Sequence, residues 1–422
     1  MGWWFGTKLW IRVLFGLAAG VGFGLAVSQS MDPVAAEALL AKVKIVGDVF
    51  IRLIRMIVVP LVFFTLVAGV YAMGDPKKLG TIGVKAFVLY MLTTFFANTI
   101  GLGMGLLFKP GEGVELGDAT PREMGEAMPL GDRLMGIIPT NPFAALVEGD
   151  ILAVIFFAIM IGVGLLLAGD EGAPAGRFFE SISEAILKAV YVIMELAPFG
   201  VFGLIAYVAG TKGVETFTAI LSLTLAVYVG AFIHMVVVYG LLVRIFVGLP
   251  VVAFFRSILD AQMVAYSTSS SSATLPVTMK VANENLGVQK SVAASVLPLG
   301  ATINMDGTSL YLGIVALFTA QAFGYDLAPH HYFLIAMTAA LVSIGTAGVP
   351  SASLFLLSVV LDVFDVAPAD VALVVGFIFP FDRLLDMMRT VVNVTGDAAV
   401  ATTVAKWEGE LDESVYRARP EQ

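Results

Sequence analysis

Apolar residues run along this chain in blocks: Val13–Val27, Ile57–Met73, Phe87–Phe108, Ile151–Ala168, Ile220–Val243 and Leu310–Phe323. With their flanks these reach about twenty residues, enough for a helix rising about 1.5 Å per residue to cross a roughly 30 Å hydrocarbon core. The roughly ten-residue alternation of membrane strands is missing. Gly, Pro and charged residues between the blocks predict spans near 9–28, 45–73, 80–108, 141–168, 180–209, 214–247, 287–322 and 370–407. The pattern predicts an all-α membrane protein with eight transmembrane helices.

Two stretches, 250–285 and 326–368, fit this scheme badly. Each is apolar at its ends and broken in the middle by small residues: Ser269-Ser-Ser-Ser272 in the first, Gly345-Thr-Ala-Gly-Val-Pro350 in the second. Successive serine hydroxyls compete for backbone hydrogen bonds, and proline interrupts the helical ladder. Non-helical backbone at membrane depth survives only against protein or a watery cavity. Two broken segments, each followed by a polar-bearing span, point to inverted repeats with a midplane site. Both therefore read as re-entrant helical hairpins rather than Ser/Gly-rich surface loops.

Composition supports the membrane reading and narrows the chemistry. The 422 residues are 59% hydrophobic and 14% charged, where soluble chains are about half apolar and a quarter charged. The net charge is −9, with no basic run of the kind that binds nucleic acid. The absence of cysteine excludes disulfides, thiolate metal sites and cysteine catalysis. His234, His330 and His331 lack metal-ligand spacing, and His330–His331 reads as a solvated turn. Lys8 and Arg12 ahead of an apolar run ending Ala26-Val-Ser28 could mark a signal peptide. The run is long and further spans follow, so an uncleaved first helix is expected. Lys8, Arg12, Lys77 and Lys78 flank spans one to three, whereas the 109–140 connector is acidic. That asymmetry places both termini in the cytoplasm, in a plasma or inner membrane, with the acidic loop outside.

Charges inside spans cost roughly 2.5–3.5 kcal/mol each on insertion scales and so default to function. Asn304-Met-Asp306-Gly-Thr308 interrupts an otherwise apolar span. In the last span Asp382, Asp386, Arg389, Thr390, Asn393 and Asp397 follow three- and four-residue steps and share one face. Arg389 has two readings: an internal partner for Asp386 or Asp382, or a planar fork for a substrate carboxylate, with Asp386 taking an ammonium group. Asp306 and Asp397, with oxygens near Asn304 and Asn393, suit a hard monovalent cation, Na⁺ rather than a transition metal.

At these residues the chain resembles the glutamate transporter homologue family, also called dicarboxylate/amino acid:cation symporters. Ser270-Ser-Ser-Ala-Thr-Leu-Pro276, Asn304-Met-Asp-Gly-Thr308, Gly345-Thr-Ala-Gly-Val-Pro350 and Asp386-Met-Met-Arg-Thr-Val-Val-Asn-Val-Thr-Gly-Asp397 occur in family order. The resemblance covers nearly the whole chain. It implies a homotrimer in the lipid bilayer that carries L-aspartate or L-glutamate with Na⁺ by an elevator motion. A scaffold would comprise 1–79 (helices one and two) and 109–209 (outer loop, helices four and five). The moving transport domain would comprise helix three (80–108) and 210–408, that is helix six, hairpin 250–285, helix seven, hairpin 326–368 and helix eight. Residues 409–422 would form a cytoplasmic tail.

The same resemblance implies substrate contacts at Ser271, Thr308 and the Gly348–Ser353 backbone, including Val349 and Ser353. Asp386 would hold the amino group and Arg389 the side-chain carboxylate, with Thr390 and Asn393 at the α-carboxylate and amino group. Three sodium sites are implied. One uses Gly300, Asn304, Asn393 and Asp397; a second, Thr302 with Ser343, Ile344 and Thr346; a third, Tyr90, Thr93, Thr94, Asn304 and Asp306. The chain departs from its sodium-coupled relatives at Ser269 and Met387, one or other of which is usually an arginine.

Other function classes fare worse. Proton-coupled carriage of acidic amino acids or C4-dicarboxylates is the runner-up, although a plain dicarboxylate offers Asp386 no ammonium. A membrane hydrolase needs a base near its serine; no histidine lies near Ser267–Ser272, and no Gly-x-Ser-x-Gly occurs. No enzyme activity is expected. An anion channel differs from a carrier in being unable to concentrate its substrate.

Overall fold

A computed structural model describes residues 7, 9–71, 76–114, 116, 135, 137–213, 218–344 and 352–418. Among these the chain is helical, with one isolated antiparallel bridge between Val288 and Leu411. The helices are α1 (Leu9–Ser30), α2 (Pro33–Tyr71), α3 (Pro76–Phe108), α4 (Pro142–Glu148), α5 (Ile151–Ala168), α6 (Ala173–Met194) and α7 (Ala197–Lys212). Then follow α8 (Thr218–Val247), α9 (Val251–Ser257), α10 (Leu259–Thr268), α11 (Ser271–Glu284), α12 (Lys290–Ile303) and α13 (Asp306–Phe323). The chain closes with α14 (Pro329–Ile344), α15 (Ala352–Leu361), α16 (Pro368–Glu408) and the short α17 (Glu413–Arg417).

Among the described residues six spans are long and apolar enough to cross a membrane, or seven when α6 and α7 count as one. The expected single span 180–209 is instead this pair, bent by 48° at Glu195–Leu196, just ahead of Pro198. α16 is 41 residues long but stands outside the apolar set, because Asp382, Arg383, Asp386 and Arg389 fall together in its middle.

The helices pack in two groups. In the first, α1 and α2 lie against α7, and α2 also covers α5 and α6. Gly16, Gly20 and Gly24 of α1 recur every four residues and admit the α7 backbone. A Cβ at Gly16 would fall 2.2 Å from Pro198 O, and one at Gly24 2.3 Å from Ala206 O. Small residues at this spacing let membrane helices approach closely where lipid is as apolar as leucine. In the second group α3 lies against α13, while α10, α12, α13 and α15 surround α16.

The break in the first of the two stretches has a physical cause in the sequence. In the first, α10 ends at Ser269, whose backbone is left-handed (φ 53°). Ser270 then caps α11 by accepting from Ala273 N at 3.1 Å. α11 packs back against α10. In the second, α14 ends at Ile344 and α15 begins at Ala352; 345–351 lie outside the described residues. A third break separates α12 from α13, where Asn304 and Met305 leave helical geometry.

His330 is exposed, as a solvated turn requires, but His331 is buried. It stands in the first turn of α14, where its Nδ1 accepts from Ala328 N at 3.0 Å, so a helix start replaces the expected turn.

Candidate functional site

The break at Asn304–Met305 meets the polar face of α16. Asn393 Oδ1 accepts from Gly307 N at 2.8 Å, and Asn304 Nδ2 donates to Asn393 O at 3.1 Å and to Asp397 Oδ1 at 3.0 Å. The first of these bonds satisfies a backbone N–H that the start of α13 leaves without a partner in the helix. The crossing is tight: a Cβ at Gly307 would fall 2.3 Å from Arg389 O. α3 supplies the third wall. Thr94 Oγ1 donates to Asp306 Oδ1 at 2.6 Å, Tyr90 OH donates to Val296 O at 3.1 Å, and Thr93 is buried beside them. Gly300 faces both Asp397 and Tyr90 OH, since its Cβ would fall 2.4 Å from Asp397 Oδ1 and 2.5 Å from Tyr90 OH.

The residues expected for the first and third cation sites thus form one buried oxygen cluster. Asn304, Asp306 and Asp397 are 2% exposed or less, and among the described residues no lysine or arginine pairs with either carboxylate. Asn304 Oδ1 is a buried acceptor without a hydrogen-bond partner among the described residues. Buried carboxylates held by hydrogen bonds but by no lysine or arginine remain costly, and an unused acceptor beside them fits a small hard cation. For the second site the fit is only partial. Ser343 and Ile344 are buried, Thr302 is half-buried with its hydroxyl bonded to Leu299 O at 2.9 Å, and Thr346 lies outside the described residues.

Further along α16, Arg389 is 1% exposed and takes both internal partners that its sequence allowed. Nη1 donates to Asp382 Oδ1 and Nη2 to Asp386 Oδ1, each at 2.8 Å, while the guanidinium lies 4.1 Å from the centre of the Tyr311 ring. One cation between two carboxylates leaves the trio with a net negative charge. Among the described residues Arg389 Nε has no hydrogen-bond partner. Thr390 donates to Asp386 O at 2.8 Å. Ser271 and Thr308 are buried at the N-terminal ends of α11 and α13, and Ser353 is buried in α15, its hydroxyl without a partner among the described residues. Gly348 and Val349 lie outside the described residues.

Two residues beside Asp306 were not expected there. Tyr239 OH donates to Asp306 Oδ2 at 2.7 Å, and His234 Nε2 lies 3.1 Å from the same oxygen. Both stand on a π-helical turn of α8, His234–Tyr239. Spacing alone had set His234 aside. The usable signal was an ionisable residue in the middle of the apolar 220–243 run.

Comparison with known proteins places the chain among transporters. A family model described as sodium:dicarboxylate symporter family matches residues 9–407. The proton/sodium-glutamate symport protein of Bacillus subtilis (strain 168) is 34% identical over 409 residues, covering 94% of each chain. The C4-dicarboxylate transport protein of the same organism is 35% identical over 418 residues, covering 96% of this chain and 95% of its own. The proton/glutamate-aspartate symporter of Escherichia coli (strain K12) is 34% identical over 378 residues, covering 87% and 85%.

Proposed function

This chain belongs to the sodium:dicarboxylate symporter family, a family of transporters and not of enzymes, and from that premise we propose that it carries acidic amino acids across a membrane by Na⁺-coupled symport. The observation that carries this reading is the crossing of α13 with α16. There a carboxylate–guanidinium trio and an oxygen cluster rich in negative charge lie within one turn of each other. L-Aspartate or L-glutamate supplies the complementary groups. Its side-chain carboxylate takes the Arg389 fork, releasing Asp386 to accept the substrate ammonium. Thr390 and Asn393 would meet the α-carboxylate and amino group, with Ser271, Thr308 and the Gly348–Ser353 backbone as further substrate contacts.

A sodium ion, when bound, would supply positive charge to two buried carboxylates that no lysine or arginine pairs with among the described residues. Asp397, Asn304, Asn393 and Gly300 would hold one ion, and Asp306, Asn304, Tyr90, Thr93 and Thr94 another. Thr302 with Ser343, Ile344 and Thr346 would hold a third. The Asn304 side chain bonds to both Asn393 and Asp397, so ordering the cation cluster also orders the face that meets the substrate.

The two packing groups suit an elevator. In this reading α1, α2 and α4–α7 are the static scaffold of a homotrimer, and α3 with α8–α16 is the moving body. The α9–α11 and α14–α15 segments are re-entrant hairpins, and both termini face the cytoplasm of a plasma or inner membrane. A second reading, proton coupling or C4-dicarboxylate carriage, is supported by the names of the relatives above. Uptake of labelled L-aspartate, L-glutamate and succinate into proteoliposomes under imposed Na⁺ or pH gradients tests the assignment. Accumulation of an acidic amino acid driven by Na⁺ at fixed pH is expected. Accumulation that follows the pH gradient and ignores replacement of Na⁺ by choline would transfer the coupling to protons.

A further inference from the structure

Arg383 stands one residue after Asp382 on α16, yet it turns away from the trio. Its Nη2 donates to Ser267 O at 3.2 Å and Thr268 O at 3.4 Å, the last carbonyls of α10. The final carbonyls of a helix have no partner within it, and a cation there also meets the negative end of the helix dipole. The next residue is Ser269, held left-handed and 2% exposed. Two residues further stands Ser271, on the substrate side in the function proposed above. Neither Ser269 nor Met387 brings charge to this corner; Arg383, one helical turn before Met387, does.

The contact continues a series. Gln262 Nε2 of α10 donates to Thr395 Oγ1 at 2.9 Å. Tyr228 OH of α8 donates to Leu384 O at 2.9 Å and lies 3.5 Å from Tyr266 OH. α10 is thus tied to α16 at its middle and near its end, and Arg383 holds the tip itself.

We propose that Arg383 is a positioning residue that latches the tip of the α10–α11 pair to α16, keeping Ser271 in place while the rest of the site fills and empties. The importance of this latch for transport rests on the symport reading; the latch itself is a property of the fold and can be measured without transport. Because the chain has no cysteine, Ser269→Cys supplies a single buried thiol at the tip. Its reaction with a hydrophilic maleimide, in purified protein reconstituted without any gradient, reports how often the tip lifts.

Losing a charge-assisted hydrogen bond on a half-buried group should raise that rate about five- to tenfold in Ser269→Cys/Arg383→Gln. Arg383→Lys keeps a charged donor and should stay near the parent rate. Ala261→Cys, buried in α10 about two turns earlier, should react slowly with or without Arg383→Gln. Equal labelling of Ser269→Cys with arginine and glutamine at 383 would overturn the latch. So would a lysine variant as fast as glutamine, or a rise at Ala261→Cys as large as that at Ser269→Cys, which would mean general loosening. Should Arg383→Gln not yield folded protein by size exclusion, Arg383→Met, which keeps an unbranched stem without the charged donor, takes its place, with the same rise expected and an unchanged rate overturning the latch. Proteoliposome uptake is read separately, so failure of symport leaves the labelling result standing.

Discussion

The spans Ile11–Ser30 and Lys290–Phe323 are both apolar enough to cross a membrane, yet 33% of the first span's apolar window is buried inside the fold and 94% of the second's. The first turns Phe15 outward at 64% exposure and hides Arg12, which pairs with Glu195 at 2.5 Å. The second encloses Asn304, Asp306 and Thr308 on a broken backbone. In a bilayer, apolar side chains gain little by moving from lipid into protein. Polar groups and unpaired backbone gain a great deal. Burial in this molecule therefore follows polarity and backbone irregularity, and the richest chemistry sits in the helices most fully enclosed.

The largest effects should come from the enclosed trio. A charged hydrogen bond contributes roughly 1.5–3 kcal/mol. Arg389→Ala should therefore weaken L-aspartate binding about tenfold to a thousandfold, with neutral L-serine or L-alanine losing far less. Asp386→Asn should abolish amino acid binding while tolerating a dicarboxylate such as succinate. Calorimetric titration of folded variants checks both. Unchanged aspartate affinity in either would reduce the trio to an internal ion pair.

Next in size is the oxygen cluster. If Na⁺ and substrate stabilise each other, each must tighten the other by the same factor. Apparent substrate affinity should then rise with a power of Na⁺ above one. Asp397→Asn should move that dependence to Na⁺ concentrations about tenfold higher, on the scale of one lost charged contact. Titrations across a Na⁺ series at fixed pH and ionic strength read this directly, and a flat series would remove sodium coupling.

Backbone packing sharpens the contrast between the two spans. Gly307→Ala drives a Cβ to 2.3 Å from Arg389 O, whereas a Cβ at Gly22 in α1 meets nothing within 4 Å. The first should destabilise by about 1–3 kcal/mol. The second should be neutral or stabilise by about 0.4–1 kcal/mol through the unfolded chain. Thermal unfolding in one detergent compares them. The smallest effect is expected at Phe15→Leu on the outward face of α1, within about 0.5 kcal/mol, as for surface sites remote from special features. A large loss there would mean that another protein surface, rather than lipid, covers Phe15.

Much of this was legible in local pattern. Length and apolarity located α1, α3, α5 and α8, and the Ser269–Ser272 run marked the break that Ser270 caps. The three- and four-residue steps of 382–397 placed Asp386, Arg389, Asn393 and Asp397 on one enclosed face. In each case the controlling physics acts within a few residues: helix rise against membrane thickness, hydroxyl competition with the backbone, and side-chain periodicity.

What the sequence by itself determined is the class of protein, its helical plan and the side chains that carry charge through it. Tertiary structure decided which partners those side chains meet. Arg389 is bound by Asp382 and Asp386 together, a choice that pattern left open. His234 and Tyr239 reach Asp306 because a π-helical turn of α8 brings both onto one carboxylate oxygen. Arg383 finds the end of α10 from 116 residues away along the chain. Glu195–Leu196 bends what hydropathy read as one span. Such contacts depend on how distant helices cross, and crossing geometry is set by the summed packing of many side chains, which no local window of sequence contains.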